Sequence, residues 1–257
     1  MSKRIVSSLV CLVMVLGLFV TVGYAETAET FDFHPVFAYY QDDSQEELVV
    51  EGYFYNVSNT PVSGVTGLSF DIYDVNRELV AHAEVVDEPT DEVKLADMKL
   101  NPGECKYWSF IIQSPNKGLD LTESTVEHEF KYDSFDKVKL EDGIKTYYNN
   151  KKINFSKTKP KVENGRTLVP IRAITEAMGA KVDWDGKTST ATITRDDVSI
   201  KLKIGDKEAY VNGEKVQLDV PAKIENGSTL VPLRFIGETF GAQIFWGQDA
   251  KIIIIAE

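Results

Sequence analysis

Cysteine and histidine are scarce in this 257-residue chain, with two of the first and three of the second. Cys11 lies in an N-terminal apolar run, so removal of that run leaves Cys105 alone and excludes an internal disulfide. A lone thiol is then buried, reactive or bridged to another chain. The string Tyr107-Trp-Ser-Phe-Ile-Ile112 that follows reads as a core strand and favours burial. His34, His82 and His128 stand far apart without paired ligand spacing, which favours strand or surface histidines over a shared metal site. Nothing resembling a Gly-x-Ser-x-Gly elbow, a phosphate loop, a dinucleotide fingerprint or a paired-cysteine metal motif occurs. A Cys105–His128 nucleophile pair has no motif behind it. The acidic clusters Asp42-Asp43/Glu46-Glu47 and Asp87-Glu88/Asp91-Glu92 offer calcium its preferred oxygen ligands, but without an EF-hand pattern they read as solvated faces.

What the chain does have begins with Lys3 and Arg4, then an almost unbroken apolar run from Ile5 to Val22, then Gly23-Tyr-Ala25. That is the layout of a secretory signal peptide over 1–25, cleaved after Ala25. An uncleaved anchor is the other reading, since about 18 apolar residues just span a bilayer. Membrane contact is expected only in that case. The remaining chain has 26 basic and 40 acidic residues, which keeps it soluble and argues against nucleic acid as a partner.

Charge divides the mature chain. Residues 26–143 hold 8 basic and 26 acidic residues, whereas 144–257 hold 18 and 14. The boundary falls at Glu141-Asp-Gly143. The acidic segment alternates in strand fashion at 48–55, 68–73, 79–85 and 107–112, with Asn56, Pro61, Gly64, Pro102 and Gly103 at turns, which predicts a small antiparallel sandwich.

The second segment contains a duplication. Residues 163–184 recur 62 positions later as 225–246, with 13 of 22 positions identical. In each copy Asn-Gly makes a turn, Thr-Leu-Val a short strand, and Pro170 or Pro232 occupies the first helical position. Gly179 and Gly241 close the helices. Ile171, Ile174 and Met178, matched by Leu233, Ile236 and Phe240, share one helix face. Helices this short must dock on a sheet, which strands at 181–184, 191–194, 198–204, 209–211, 243–246 and 251–255 supply. A hairpin leads each copy, with Asn150-Lys-Lys-Ile153 facing Gly213-Glu-Lys-Val216.

These strings resemble two families. Asn-Gly-x-Thr-Leu-Val-Pro-x-Arg, a helix ending Glu-x-x-Gly-Ala, then Trp, and Gly205-Asp-Lys-x-Ala-x-Val-Asn-Gly213 form the pattern of copper amine oxidase-like N-terminal (stalk) domains across 144–257. The resemblance implies an antiparallel sheet wrapped around a helix, in an extracellular module often without an oxidase attached. More weakly, Val50-Glu-Gly-Tyr-Phe-Tyr-Asn-Val57, Ser69-Phe-Asp-Ile-Tyr-Asp74 and Leu100-Asn-Pro-Gly-Glu104 resemble the S-layer-associated immunoglobulin-like (SLAP-type) modules of Gram-positive secreted proteins. The fold expected is therefore two-domain: an all-β immunoglobulin-like sandwich over 26–143, and an α+β domain of antiparallel sheet with two short helices over 144–257.

An oxidase copper site needs three histidines and a tyrosine converted to quinone. The second segment has no histidine, so no copper and no other cofactor is expected. Arg172/Glu176 and Arg234/Glu238, four apart on one helix face, read as ligand-gripping pairs or as helix-side structural ion pairs. Trp184 and Trp246 end strands in a repeat that needs apolar mass, which favours core tryptophan over a carbohydrate platform. The expectation is a non-catalytic binding or scaffolding protein, secreted or wall-associated on a Gram-positive-type envelope, with wall polymer or another envelope protein as partner. An extracellular enzyme of unrecognised type is the alternative.

Overall fold

A computed structural model describes residues 2–10, 31–40, 47–74, 76–85, 94–113 and 125–257. The expected leader is described only over its first part, where a strand pairs with a later one. Its remainder, and nearly all of the two acidic clusters, lie outside the described residues. The chain divides into two units, Met1–Lys139 and Leu140–Glu257.

Among its described residues, unit 1 is all β apart from one turn of 3-10 helix at Leu95–Asp97. Its strands are β1 (Ser2–Val10), β2 (Phe31–Tyr40), β3 (Glu47–Asn56), β4 (Val62–Tyr73), β5 (Leu79–Glu84), β6 (Lys99–Leu100), β7 (Cys105–Gln113) and β8 (Thr125–Ser134). One sheet runs β1-β8-β4-β5 with β6 also on β4, and the other runs β2-β3-β7. Phe33, Phe54 and Phe110 from the three-stranded sheet meet Phe70 and Phe130 from the other, with ring centroids 5.1 to 5.8 Å apart for Phe33–Phe70, Phe54–Phe130 and Phe70–Phe110. The core therefore lies between the sheets.

Four of these strands, β1, β2, β6 and β8, were not expected. In β2, Pro35 breaks the pattern that marks a strand, and the structure absorbs it in a bulge between Pro35 and Phe37. The bulge rests on Gly52, where an added Cβ would come 2.2 Å from the His34 carbonyl oxygen and 2.8 Å from Pro35 Cα. In β8, Val126, His128, Phe130 and Tyr132 face inward, alternating with more exposed charged residues. Asn56, fully buried at the end of β3, donates to the carbonyls of Thr60 and Leu100 and accepts from the Ser58 amide, which ties down the turn after it.

Unit 2 shows the duplication as geometry. The first copy runs β9 (Lys145–Tyr148), β10 (Lys151–Lys152), β11 (Lys161–Glu163), β12 (Arg166–Pro170), α1 (Ile171–Ala177), β13 (Lys181–Asp185), β14 (Thr190–Arg195) and β15 (Val198–Lys203). The second runs β16 (Glu208–Val211), β17 (Glu214–Gln217), β18 (Lys223–Glu225), β19 (Ser228–Pro232), α2 (Leu233–Thr239), β20 (Gln243–Gly247) and β21 (Ile252–Ala256). β12 and β19 pair antiparallel with Val169 opposite Val231, so equivalent residues of the two copies face each other across a pseudo-twofold axis.

Three sheets replace the single antiparallel sheet expected: β11-β12-β19-β18, β13-β14-β15-β16-β17 and β10-β9-β21-β20. The hairpin β16-β17 that leads the second copy completes the sheet of the first, and β9-β10 that leads the first completes the sheet of the second. The first copy has β15 between β14 and β16. The second has no counterpart of β15, so β21 meets β9 directly and the pair is parallel. Both helices pack their predicted faces inward, with Ile171, Ile174, Leu233 and Ile236 buried. Each is seven residues long and starts one residue later than expected. Pro170 and Pro232 are N-caps with extended ψ of 113° and 120°, because each still belongs to the strand pair at the axis. Gly179 and Gly241, at φ 76° and 80°, close them: the Ala180 and Ala242 amides donate to the carbonyls of Thr175 and Gly237, six residues back to one, as in a Schellman motif.

Exchange of leading hairpins means that 144–205 alone lacks β16-β17 from its own sheet. Expressed separately, that fragment is expected to show no cooperative thermal transition, while 140–257 shows one; circular dichroism melts of both check this. In unit 1, Gly52→Ala is expected to cost roughly 3 kcal/mol or more in denaturant unfolding, because the obstructing atoms are backbone and cannot swing away.

Candidate ligand-contact surfaces

The structure places Arg172 and Glu176 on the outer side of α1, and Arg234 and Glu238 on that of α2. Their charged atoms lie 3.9 and 3.7 Å apart, and every one of the four side chains is more than half exposed. Arginine near the helix start and glutamate near its end opposes the helix dipole, so these pairs contribute at most a few tenths of a kcal/mol. Burial of the arginines against strand carbonyls does not occur. Burial on the domain side and the charge of Asp219 push the Glu238 carboxyl above its usual range, against the pull of Arg234.

Trp184 and Trp246 correct the expectation of core tryptophan. They are 42% and 38% exposed. Trp184 pairs with Ala191 and Trp246 with Ile253, both buried, so each indole points to the core side of its strand. Each is the penultimate residue of its strand, Lys181–Asp185 or Gln243–Gly247.

At the axis the structure adds a cluster that no sequence pattern marked. Lys161 Nζ lies 2.5 Å from Glu225 and 3.0 Å from Glu163, while Lys223 Nζ lies 2.5 Å from Glu163 and 3.6 Å from Glu225. Lys161 and Lys223 stand opposite Leu168 and Leu230, so the four charges lie on the sheet face that buries those leucines. Hydrogen bonds from the lysines hold both carboxyls below their usual range. The depressed folded-state values make this contribution to stability complete at neutral pH, lost only as pH falls through them.

No candidate pair is thus brought into a cleft with other titratable groups. The three histidines stay apart: His34 is on β2, His82 on β5 pairs with Asp71 at 2.6 Å, and buried His128 on β8 meets Asp32 at 2.8 Å. Among the described residues no group of three or more His, Cys, Asp or Glu is arranged to hold a metal ion. Cys105 is buried, and that burial pushes its thiol up to about 11. Among the described residues, the exposed rings of Phe37, Tyr39 and Tyr107 share the outer face of β2-β3-β7 around Glu51 in unit 1. Strand alternation assigns those positions to the side away from the core, but no motif singles them out.

The sequence that builds the two strand-turn-strand-helix copies of unit 2 matches a known protein family. The chain contains a copper amine oxidase N-terminal domain at residues 147–255. It is 34% identical over 73 residues to a primary amine oxidase of Klebsiella aerogenes, covering 28% of this chain and 10% of that one. It is 29% identical over 91 residues to a protease inhibitor of Brevibacillus choshinensis, covering 35% of this chain and 28% of that one. The chain thus spans about a tenth and under a third of the lengths of these relatives. Domains of this family typically occur in extracellular bacterial proteins.

Copper fits none of the residues in that domain, which has no histidine to offer it. Purified protein is expected to carry no stoichiometric copper and to oxidise no amine. Elemental analysis and a peroxide-release assay check both, and one copper per chain would overturn the expectation.

Proposed function

We propose that the mature chain is a non-catalytic binding or scaffolding protein of a Gram-positive-type cell envelope, secreted or wall-associated, whose copper amine oxidase N-terminal domain contacts wall polymer. The observation that supports it most is a stalk-type domain whose helix-borne arginines and strand-end tryptophans are presented outward, with no histidine that could serve oxidase chemistry. Unit 1, two β-sheets around one core, enters this reading as an immunoglobulin-like SLAP-type module that extends a binding surface. The leader expected over 1–25 supplies export in the same reading.

Charge gives the proposal its direction. A wall rich in phosphate and carboxylate repels the acidic segment and attracts the basic one. Lys151, Lys157 and Lys159 are exposed, whereas Lys152 and Lys161 are engaged with Glu141 and Glu225. Three lysines of the basic stretch therefore face outward for an anion, whereas Arg172 and Arg234 on the helices stand beside Glu176 and Glu238. Attraction of this kind is screened beyond roughly 8 Å at physiological salt, so it orients the protein more than it anchors it.

The alternative is an extracellular enzyme of another type, which requires a cleft where titratable groups converge. The two readings separate in one experiment. Residues 140–257 and the mature chain are expected to sediment with purified Gram-positive walls at low salt and to be released as salt rises, while 26–139 stays in the supernatant. If 140–257 stays in solution at low salt, or 26–139 binds better, the wall-contact proposal fails.

A further inference from the structure

An antiparallel sheet with one face on the core normally turns polar residues to water on the other. The β2-β3-β7 sheet does not. Alternation sends Phe33, Phe54 and Phe110 into the core and turns Phe37, Tyr39, Tyr53, Tyr107 and Ile111 outward, with Val49 at an alternating position on the same side but itself buried. The register stacks these positions in rows: Tyr39, Val49 and Ile111 across one, Phe37, Glu51 and Ser109 across the next, and His34, Tyr53 and Tyr107 across the third.

Phe37, Tyr39, Tyr107 and Ile111 are 39%, 41%, 43% and 59% exposed. At roughly 200 Å² for a large side chain, these four alone present about 350 Å², within the range where the largest patch on a monomer is often functional. Tyr53 and Tyr107 pack edge to face with centroids 4.9 Å apart, a rigid pair of the kind that dominates binding interfaces.

The polarity of the face is one-sided. Glu51 occupies the middle row, and burial together with the charge of Glu51 holds the Tyr39 and Tyr107 hydroxyls above their usual range. Glu47 adds a second carboxylate at the end of β3, held at 2.9 Å by Gln113. None of the outward positions of the three strands is lysine or arginine. Lys106 alternates to the other side and lies 4.8 Å over the Trp108 ring.

We propose that the β2-β3-β7 face of unit 1 docks a protein segment presenting lysine or arginine side chains, with Glu51 receiving the cation and the tyrosine rings flanking it. An aromatic surface around a carboxylate attracts cations twice, through the charge and through the ring faces. The acidic surroundings add long-range attraction for the same partner and repel anionic polymer. A neutral glycan would stack on the rings but would leave the central carboxylate charge unmatched. The inference deepens the binding reading above by naming a partner class for unit 1, and it rests on that reading only in treating the chain as a binder.

The test uses the full mature chain, residues 26–257, and synthetic peptides of about ten residues, the length of a typical long strand. One alternates Lys with Val, a second Glu with Val, a third Ser with Val, and a chitin hexasaccharide serves as the neutral glycan. Amide shifts in a two-dimensional NMR titration at physiological salt locate each contact. The Lys-Val peptide is expected to shift residues of β2, β3 and β7 saturably, and Glu51→Gln, which keeps the shape, to weaken it about tenfold. Tyr107→Ala is expected to do the same, with Tyr210→Ala, an exposed tyrosine of unit 2, leaving binding unchanged. If Tyr107→Ala lowers the thermal midpoint, Glu51→Gln alone decides. The proposal is overturned by no saturable binding up to about 1 mM, by shifts scattered over unit 1, by equal binding of the Glu-Val peptide, by unchanged affinity in Glu51→Gln, or by tighter binding of the hexasaccharide to this face. Wall sedimentation reads the other unit, so failure there and failure here are distinguishable.

Discussion

Pairing of Val169 with Val231 is the contact on which the second unit depends. Two copies of one strand-turn-strand-helix string could bury their apolar faces separately only if each carried a whole sheet, and neither does. Once equivalent valines face each other, each leading hairpin lies beside the other copy's sheet rather than its own. Ile252 to Ile255 of β21 are then covered by β9, and all four are buried. The last residue secures this closure: Glu257 accepts from the Tyr148 hydroxyl at 2.8 Å and from Arg195 at 2.6 Å. Residues near both ends of the unit are thereby locked together in a fold built from local repeats.

The charged and aromatic candidates are exposed for two separate reasons. Seven-residue helices have one turn's worth of core face, and Ile171, Ile174 and their counterparts fill it. Arg172, Glu176, Arg234 and Glu238 are left on the outer side by helical periodicity alone. The tryptophans are exposed for a different reason. They alternate to the core side but stand one residue from the end of their strands. The cluster of Lys161, Glu163, Lys223 and Glu225 belongs to the scaffold, since it lies over Leu168 and Leu230 and its partners satisfy one another.

In the first unit the comparable constraint is the close passage of β2 over Gly52, which lets a proline-containing strand stay in the sheet. Phe31 and Phe33 then reach Phe54 with centroids 6.2 and 4.8 Å away, and the core between the sheets becomes largely aromatic. The outer side of the same three strands is also aromatic, which packing of the core does not require.

Much of this was legible in the sequence. Repetition of 163–184 as 225–246 determined two helices, their buried faces and their glycine ends, because helical spacing and the left-handed cap are local properties. Alternation determined β3, β4, β5 and β7, and it runs equally clearly through Val126-Glu-His-Glu-Phe-Lys-Tyr132 of β8. Absence of histidine after His128 determined that the second unit offers copper no imidazole. Tertiary structure alone decided the three-sheet arrangement, the parallel β9–β21 pair, the exposure of Trp184 and Trp246, and the neighbouring of Tyr39, Glu51 and Tyr107 on one sheet face. Each of these depends on which strand lies beside which, and that choice is made by long-range pairing between residues up to about a hundred positions apart, for which neither helical nor strand periodicity carries a signal.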